Sequence, residues 1–313
     1  MLDEAAAPAV AVALAAGVSG AIQPKVNAVL ADRLGSALVA SLVNFVIALV
    51  VTAVVIGFRR QTRRRLRALP TWPVPRWTFT AGIGGAIVVL AGAVAVDTIG
   101  VAIFSVAFFA GQIAFGLVVD RLGVAPGGTR PLTVRRLQAV VLAIAAIALA
   151  QLGRDVGELA PALVLFCAAA GAAVALQSAF NGRITSTTGD PVAATAVNVS
   201  VGTVVLAAVV AGVAVADHLG ALDWPSNPWL YSGGALGASI VLSLAFATAA
   251  LGVLHATLTM LGAQLVAALV VDWVVNDEPP TAGVLAGSVL VIAAMALVAR
   301  DRALRPAAPA PSG

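Results

Sequence analysis

The sequence predicts an all-α integral membrane protein in which ten transmembrane helices form two five-helix repeats of opposite orientation. Hydrophobic residues make up 61% of the 313 positions and charged residues only 10%, a composition that excludes an ordinary soluble domain. Apolar runs long enough to span a bilayer occur ten times along the chain. Rare polar residues recur at a nearly constant offset between the two halves, as expected for an internal repeat.

The ten apolar runs define the predicted spans. Each approaches the roughly 20 residues that a helix needs to cross the hydrocarbon layer. Helices are favoured over strands because the runs do not alternate as barrel strands do, and a lone strand cannot satisfy its backbone in lipid. In order, the predicted helices cover about residues 7–30, 37–57, 77–96, 99–119, 134–152, 159–182, 191–216, 229–249, 252–274 and 281–299.

The internal repeat rests on matched polar and glycine residues. The offset is 154 residues in the first part of each half and 152 in the next part. Matches of Leu, Val or Ala could arise by chance in so apolar a chain, whereas Gln, Asn, Asp and Trp are rare in it. Halves of inverted topology are typical of transporters. The pairs are Gly17 with Gly171, Gln23 with Gln177, Asn27 with Asn181, Gly35 with Gly189, Asn44 with Asn198, Trp77 with Trp229, Gly82 with Gly234, Gly85 with Gly237, Gly100 with Gly252, Gln112 with Gln264 and Asp120 with Asp272.

Several element boundaries can be predicted from local signals. Ser36 and Asp190 are suited to cap helices two and seven. Little more than Asp97 and Thr98 separates helices three and four, which predicts a tight hairpin. Polar residues near 153–161 mark the break between the halves. We therefore divide the chain into a first repeat at 1–153, a second at 154–305 and a disordered tail at 306–313, with the two repeats forming one structural unit.

Glycines cluster near the start of the third and eighth helices. Small residues let neighbouring backbones approach closely in lipid, where helix packing depends on contact and hydrogen bonds. We expect a packing role for Gly82, Gly84, Gly85, Gly233, Gly234 and Gly237.

The distribution of positive charge predicts the orientation. We define side A as the side of the membrane that carries the N-terminus and side B as the opposite side. The predicted spans place 15 of the 18 Lys and Arg residues on side A, among them six between Arg59 and Arg67. Side B keeps only Lys25, Arg33 and Arg154. The positive-inside rule then makes side A cytoplasmic, with both termini inside the cell.

No enzyme, metal or nucleic-acid motif is visible. The sequence has no Gly-rich phosphate loop, no HExxH motif and no Cys/His cluster with ligand spacing. Its single cysteine, Cys167, cannot form an internal disulfide. We therefore expect no enzyme activity, no metal and no cofactor. The pI near 10.5 arises from the basic loops, and we expect no nucleic-acid partner.

Eight amide side chains inside the spans are the main candidates for binding. Burying an amide in lipid is costly unless it faces partners or water. Hydrogen bonds between helices, worth about 1 kcal/mol each, are the alternative for any one of them. Their symmetric positions favour a shared central cavity that binds substrate. The candidates are Gln23, Asn27, Asn44, Gln112, Gln177, Asn181, Asn198 and Gln264.

Three ionisable residues are candidates for coupling to an ion. Lys25 lies well inside the first span, with snorkelling to the interface as the alternative. Asp97 lies near side B and either pairs with Lys25 or caps helix four, and capping is favoured. Histidine can exchange a proton near neutral pH, so His255 is a candidate carrier, with hydrogen-bonded packing as the alternative. Asp120 and Asp272 are expected to be boundary residues at the ends of helices four and nine.

Two motifs resemble the drug/metabolite transporter superfamily. One is G-Q-x-x-x-x-x-x-x-D-x-x-G and the other is Q-x-x-x-N; the residues are Gly111, Gln112, Asp120 and Gly123, and Gln23 with Asn27. The chain is most similar to the branch built from five-helix units of mostly uncharacterised function, here fused in tandem. The resemblance implies a ten-helix inverted repeat that works by alternating access. It also implies export of small organic solutes, driven by protons or by exchange.

One departure from related exporters bears on the substrate. The small multidrug exporters carry a glutamate in the first membrane helix that couples protons to cations. This chain has no Glu in any predicted span. Because glutamine does not titrate, proton coupling would need Asp97, His255 or another group, and an amide-lined cavity suits neutral or zwitterionic solutes.

The predicted function is secondary active transport, most consistent with efflux, at the cell inner (plasma) membrane. The expected partners are a small-molecule solute, membrane lipids and protons as a coupling ion, in a monomer or a homodimer. An uncoupled channel or a lipid scramblase is one alternative. Another is a non-transporting membrane partner protein that docks through the loop 59–67, although such arginines more often set topology and contact anionic headgroups.

Overall fold

The computed structural model is all-helical over the residues that it describes, which are 6–126, 128–129, 131–150, 160–216, 218–275, 277 and 279–303. Short 3₁₀ turns cover Leu69–Thr71, Arg76–Thr80 and Pro228–Tyr231. Most of the break predicted between the halves, and the predicted tail, lie outside the described residues. The α-helices are α1 (Ala6–Leu34), α2 (Ala37–Phe58), α3 (Arg60–Arg67), α4 (Ala81–Arg121), α5 (Val134–Ala150), α6 (Ala160–Thr188), α7 (Pro191–Val215), α8 (Gly233–Val275) and α9 (Ala282–Ala303).

Ten spans arise because α4 and α8 each cross the membrane twice. In the described ranges, seven helical segments are long and apolar enough to span it. A straight α4 of 41 residues would measure about 60 Å, twice a bilayer core. Instead the chain reverses at Gly100, whose φ of 81° belongs to the region that glycine adopts without strain. Ala81 and Val119, near the two ends of α4, consequently share one apolar cluster.

The reversal in α4 lies two residues beyond the predicted break at Asp97 and Thr98, because Gly100 provides the unusual backbone conformation. The long helix α8 follows the same plan. Gly234 at its start packs against α2 near Asn44, and Asp272 near its end contacts the turn at Val101. Both contacts lie on side B. The predicted all-α membrane fold is therefore confirmed, with the spans of each hairpin joined into one long helix.

The two halves pack against each other through equivalent contacts. A Cβ atom on Gly17 of α1 would lie 2.8 Å from the backbone nitrogen of Gln264 in α8, and one on Gly171 of α6 would lie 2.9 Å from that of Gln112 in α4. The two contacts are equivalent, because Gly17 matches Gly171 at the offset of 154 residues and Gln112 matches Gln264 at the offset of 152. Such close approach requires glycine at both places. Helix α1 thus packs on α8, and α6 packs on α4. Each of these contacts joins one half of the chain to the other.

Two of the predicted helix caps are present, whereas the cap predicted for the second arm of α4 is replaced by a residue that is distant in the chain. The Ser36 hydroxyl accepts from the Val39 backbone N–H at 3.3 Å, and the Asp190 carboxylate accepts from that of Val192 at 3.0 Å. The second arm of α4 is capped by Asp272, whose oxygens accept from Val101 at 2.8 Å and from Ala102 at 2.7 Å. The prediction that Asp97 caps this helix is wrong.

Three residues of the G-Q…D-x-x-G motif have structural roles. Gly111 packs against the backbone of Ala168 in α6. The buried Asp120 forms an ion pair with Arg136 of α5, with 3.0 Å between Oδ2 and Nη1. Gly123 ends the helix with a φ of 67°. These residues therefore fix how α4 joins its neighbours.

Candidate functional site

The eight candidate amides fall into two clusters and two intervening glutamines. Asn27 lies seven residues before the end of α1, and Asn44 seven residues after the start of α2. Asn181 and Asn198 occupy the same positions in α6 and α7. At 1.5 Å per residue, each cluster lies about 10 Å inside its own end of the bundle. We name Gln23, Asn27 and Asn44 the side-B cluster, and Gln177, Asn181 and Asn198 the side-A cluster.

The side-B cluster is closed by a direct hydrogen bond. Asn44 Nδ2 donates to Asn27 Oδ1 at 2.6 Å, and both side chains are buried. Glycines of α8 lie against them: a Cβ on Gly233 would fall 2.7 Å from Asn44 Nδ2, and one on Gly237 would fall 2.5 Å from Gln23 Nε2. Any larger residue would displace these amides. The glycines at the start of α8 therefore set the space in which the cluster lies.

The side-A cluster has the same residues but leaves polar atoms without a bond. Among the described residues, Gln177 Oε1, Asn181 Oδ1 and Asn198 Nδ2 are buried and have no hydrogen-bond partner. Asn198 is only 7% exposed. A Cβ on Gly85 would lie 3.3 Å from Asn198 Oδ1 and 3.4 Å from Gln177 Oε1, so these two oxygens lie near each other. Unsatisfied buried polar atoms are rare in folded proteins and need an explanation.

The remaining two glutamines lie near the middle of the bundle. Gln264 Nε2 donates to the Gly20 carbonyl of α1 at 3.3 Å, and the side chain is 8% exposed. Gln112 is half-buried, and its backbone contacts Gly171 of α6. Gln264 thus joins α8 to α1 one turn from Gln23. The eight amides do not form one ring; they lie at three depths between the two faces of the bundle.

The candidate coupling residues are separate from both clusters. Lys25 Nζ lies 2.8 Å from Asp97 Oδ1, with the two side chains 20% and 40% exposed. The ion pair links α1 to α4 near side B, as the alternative interpretation of Asp97 predicted. Its equivalents in the second half are Ala179 and Ala249, so the pair breaks the internal symmetry. His255 is exposed.

For the glycines beside the amides, the sequence predicts a role in helix packing alone. The structure places Gly84 and Gly85 against Gln177, and Gly233 and Gly237 against the side-B amides. The correspondence of Gly85 with Gly237 at the offset of 152 residues was the available signal. This match between the halves does not show which amides contact the glycines, because those amides lie in the other half of the chain.

Comparison with known proteins agrees with this architecture. The model of a family described as "Putative inner membrane exporter, YdcZ" matches the chain over residues 8–149 and 162–297. No curated protein matches it. The two matched stretches correspond to the two five-helix repeats and cover most of the chain. The resemblance to drug/metabolite transporters is thereby confirmed, and the chain belongs to the YdcZ family of inner-membrane exporters.

Proposed function

We propose that the protein exports small neutral or zwitterionic organic solutes by alternating access, with side A facing the cytoplasm. The charge bias supports this orientation, since the arginines gather on side A. The solute class follows from the candidate groups, which are amides that both donate and accept hydrogen bonds. In this proposal the side-A cluster binds solute from the cytoplasm, and the side-B cluster closes the path beyond it.

The observation that carries the proposal is the different bonding of two equivalent clusters. On side B the amide of Asn44 donates a hydrogen bond to Asn27, whereas on side A the equivalent atoms of Asn181 and Asn198 have no partner within the part of the chain that the structure describes. A solute with polar groups would satisfy those atoms. Inverted repeats alternate by exchanging such local states between their halves. The asymmetry is therefore the expected difference between a closed gate and a site ready for solute.

Release of solute on side B would require the bond between Asn27 and Asn44 to break. Hydrogen bonds between membrane helices contribute only about 0.6–2 kcal/mol, so this bond can close a gate without locking it. Rocking of the packed pairs α1–α8 and α4–α6 would transfer the opening from side A to side B. Gln264 and Gln112 lie at depths between the two clusters and would, in this proposal, offer further hydrogen bonds to the passing solute.

Transport by inside-out vesicles tests the proposal. Vesicles that hold a proton gradient would receive a panel of amino acids, amides, nucleosides and organic cations, while a pH-sensitive dye reports the gradient. Counterflow of the responding solute would be measured in parallel, because it does not depend on the driving ion. We expect Asn198→Ala to reduce saturable transport at least about tenfold, which corresponds to one or two lost polar contacts.

The control is Ser178→Ala, an exposed position on α6 beside Gln177, which should transport like the wild type. Wild-type counterflow in Asn198→Ala would remove the side-A cluster from the binding site. Flux that does not saturate and shows no counterflow would instead indicate an uncoupled channel or scramblase.

A further inference from the structure

We propose that the ion pair between Lys25 and Asp97 is a one-sided lock, which holds the bundle closed on side B and makes the state open to side A the resting state. The pair joins α1 to α4. These helices belong to different packed pairs, because α1 packs on α8 and α4 packs on α6. If one packed pair rocks against the other, as in the proposed function, Lys25 and Asp97 have to separate when side B opens.

The contact that carries the ion pair closes side B between α1 and α4. A Cβ atom on Gly92 of α4 would lie 3.2 Å from the Cβ atom of Pro24 in α1. Ala95 of α4 is fully buried, in an apolar cluster that also contains residues of α1. Lys25 directly follows Pro24, and its Nζ atom lies 2.8 Å from Asp97 Oδ1. The ion pair therefore spans the edge of a tight helix contact, where both charges stay partly exposed.

The equivalent contact of the second half is missing. It would join α6 to α8, yet these helices make almost no contact within the part of the chain that the structure describes. Ser178, which matches Pro24 at the offset of 154 residues, is exposed. The charges are missing as well, because the positions equivalent to the ion pair are Ala179 and Ala249. The two sides of the bundle thus differ both in helix contact and in charge.

This asymmetry decides which state is favoured. If the halves of an inverted repeat were identical, its two states would have equal free energy, because exchanging the halves converts one state into the other. An attraction that exists in only one state shifts the populations toward that state by its own size. A partly exposed ion pair changes such a ratio about two- to fivefold. That is enough to set a resting state without preventing side B from opening.

Two polar contacts near side A do not offset the lock. Arg136 pairs with Asp120 between α4 and α5, and Thr62 donates to Asp190 Oδ2 at 2.6 Å between α3 and α7. Neither joins α6 to α8. Both are formed in the same state as the ion pair on side B, so neither favours the opposite state over this one.

Cysteine labelling in nanodiscs, without solute, tests the lock. In a Cys167→Ala background, Ala95→Cys places a thiol in the contact between α1 and α4, where an uncharged, water-soluble maleimide reacts only when side B opens. We expect Lys25→Gln and Asp97→Asn each to raise the labelling rate about two- to fivefold. The double variant should raise it no further than either single variant, because both changes break the same interaction.

Three controls separate a lock from other effects. A field effect on the thiol would change the rate in opposite directions in Lys25→Gln and Asp97→Asn, because the two changes remove opposite charges. Arg33→Gln removes another exposed cation from α1 and should leave the rate unchanged. General loosening is measured at the native Cys167, which is fully buried, in the same variants without the new cysteine.

The result does not depend on the solute class, because no solute is added. Unchanged labelling, opposite changes in the two single variants, additive changes in the double variant, or an equal rise in Arg33→Gln or at Cys167 would each overturn the lock while leaving the side-A cluster untested. A second reporter, Ala28→Cys on α1 in the same apolar cluster, gives the same comparison if Ala95→Cys does not fold.

Discussion

At the scale of single residues, the contrast between the two asparagine pairs is the central observation. Asn27 and Asn44 bond each other at 2.6 Å, while Asn181 Oδ1 and Asn198 Nδ2 have no partner among the described residues. The identity of these four residues is visible in the sequence through the offset of 154 residues. Their bonding is not, because it depends on how the helices pack, which residue type alone does not determine.

The asparagine contrast predicts different coupling energies in two double-mutant cycles. Asn27→Leu or Asn44→Leu alone leaves a buried amide unsatisfied and should cost about 1–3 kcal/mol of unfolding free energy. The double variant should cost less than the sum, with a coupling of about 0.6–1.7 kcal/mol. Unfolding in mixed micelles measures each variant. The control cycle on Asn181 and Asn198 should be nearly additive, and equal coupling in the two cycles would contradict the bonding pattern described above.

At the scale of helices, close glycine contacts position the elements that carry the amides. Local signals predicted the caps Ser36 and Asp190 because each cap lies next to the helix that it serves. The cap by Asp272 could not be predicted in this way. Its carboxylate accepts from Val101 and Ala102, which precede it in the chain by 171 and 170 positions. The hairpin is predictable from two apolar runs separated by little more than Asp97 and Thr98, but the position of its turn depends on the positive φ of Gly100.

Matched glycine substitutions test the role of helix contact. Gly171→Ala places a Cβ 2.9 Å from the Gln112 backbone nitrogen, and such overpacking costs about 1–3 kcal/mol. Its equivalent Gly17→Ala should lose a similar amount. Gly116→Ala on α4 meets nothing within 4 Å and should be neutral or more stable, because alanine favours the helix. Thermal unfolding in detergent gives the comparison; a loss in Gly116→Ala as large as in Gly171→Ala would exclude helix contact as the cause.

At the scale of the whole molecule, the inverted repeat was predictable because symmetry in the sequence becomes symmetry in the fold. The distribution of the amides was less predictable. The sequence favoured one central cavity, whereas the structure places clusters about 10 Å inside opposite faces, with Gln112 and Gln264 between them. Helical positions fix the depth of a side chain, but the packing of the two halves decides which side chains meet.

Alternating access predicts that solute changes the two clusters in opposite directions. Cysteines at positions 27 and 44 should be joined readily by a short bis-methanethiosulfonate reagent without solute, and less so with it. Cysteines at 181 and 198 should show the reverse at solute concentrations raised to offset the affinity lost with these two amides. The native Cys167 is fully buried and is replaced by Ala to avoid side reactions. Joining the first pair should stop counterflow, and reduction should restore it; cross-linking yields that solute leaves unchanged at both pairs would contradict exchange between the clusters.

The contact between α1 and α8 also has a consequence for biosynthesis. Gly20 and Gln264, which meet in that contact, are 244 residues apart in the chain. At about 5–20 residues per second, a ribosome takes roughly 12–50 s to make the partner that the first helix needs. During that interval the glycine-bearing face of α1 stands in the membrane without its final neighbour. The nascent protein therefore needs a lipid or an insertion factor to cover this face until synthesis is nearly complete.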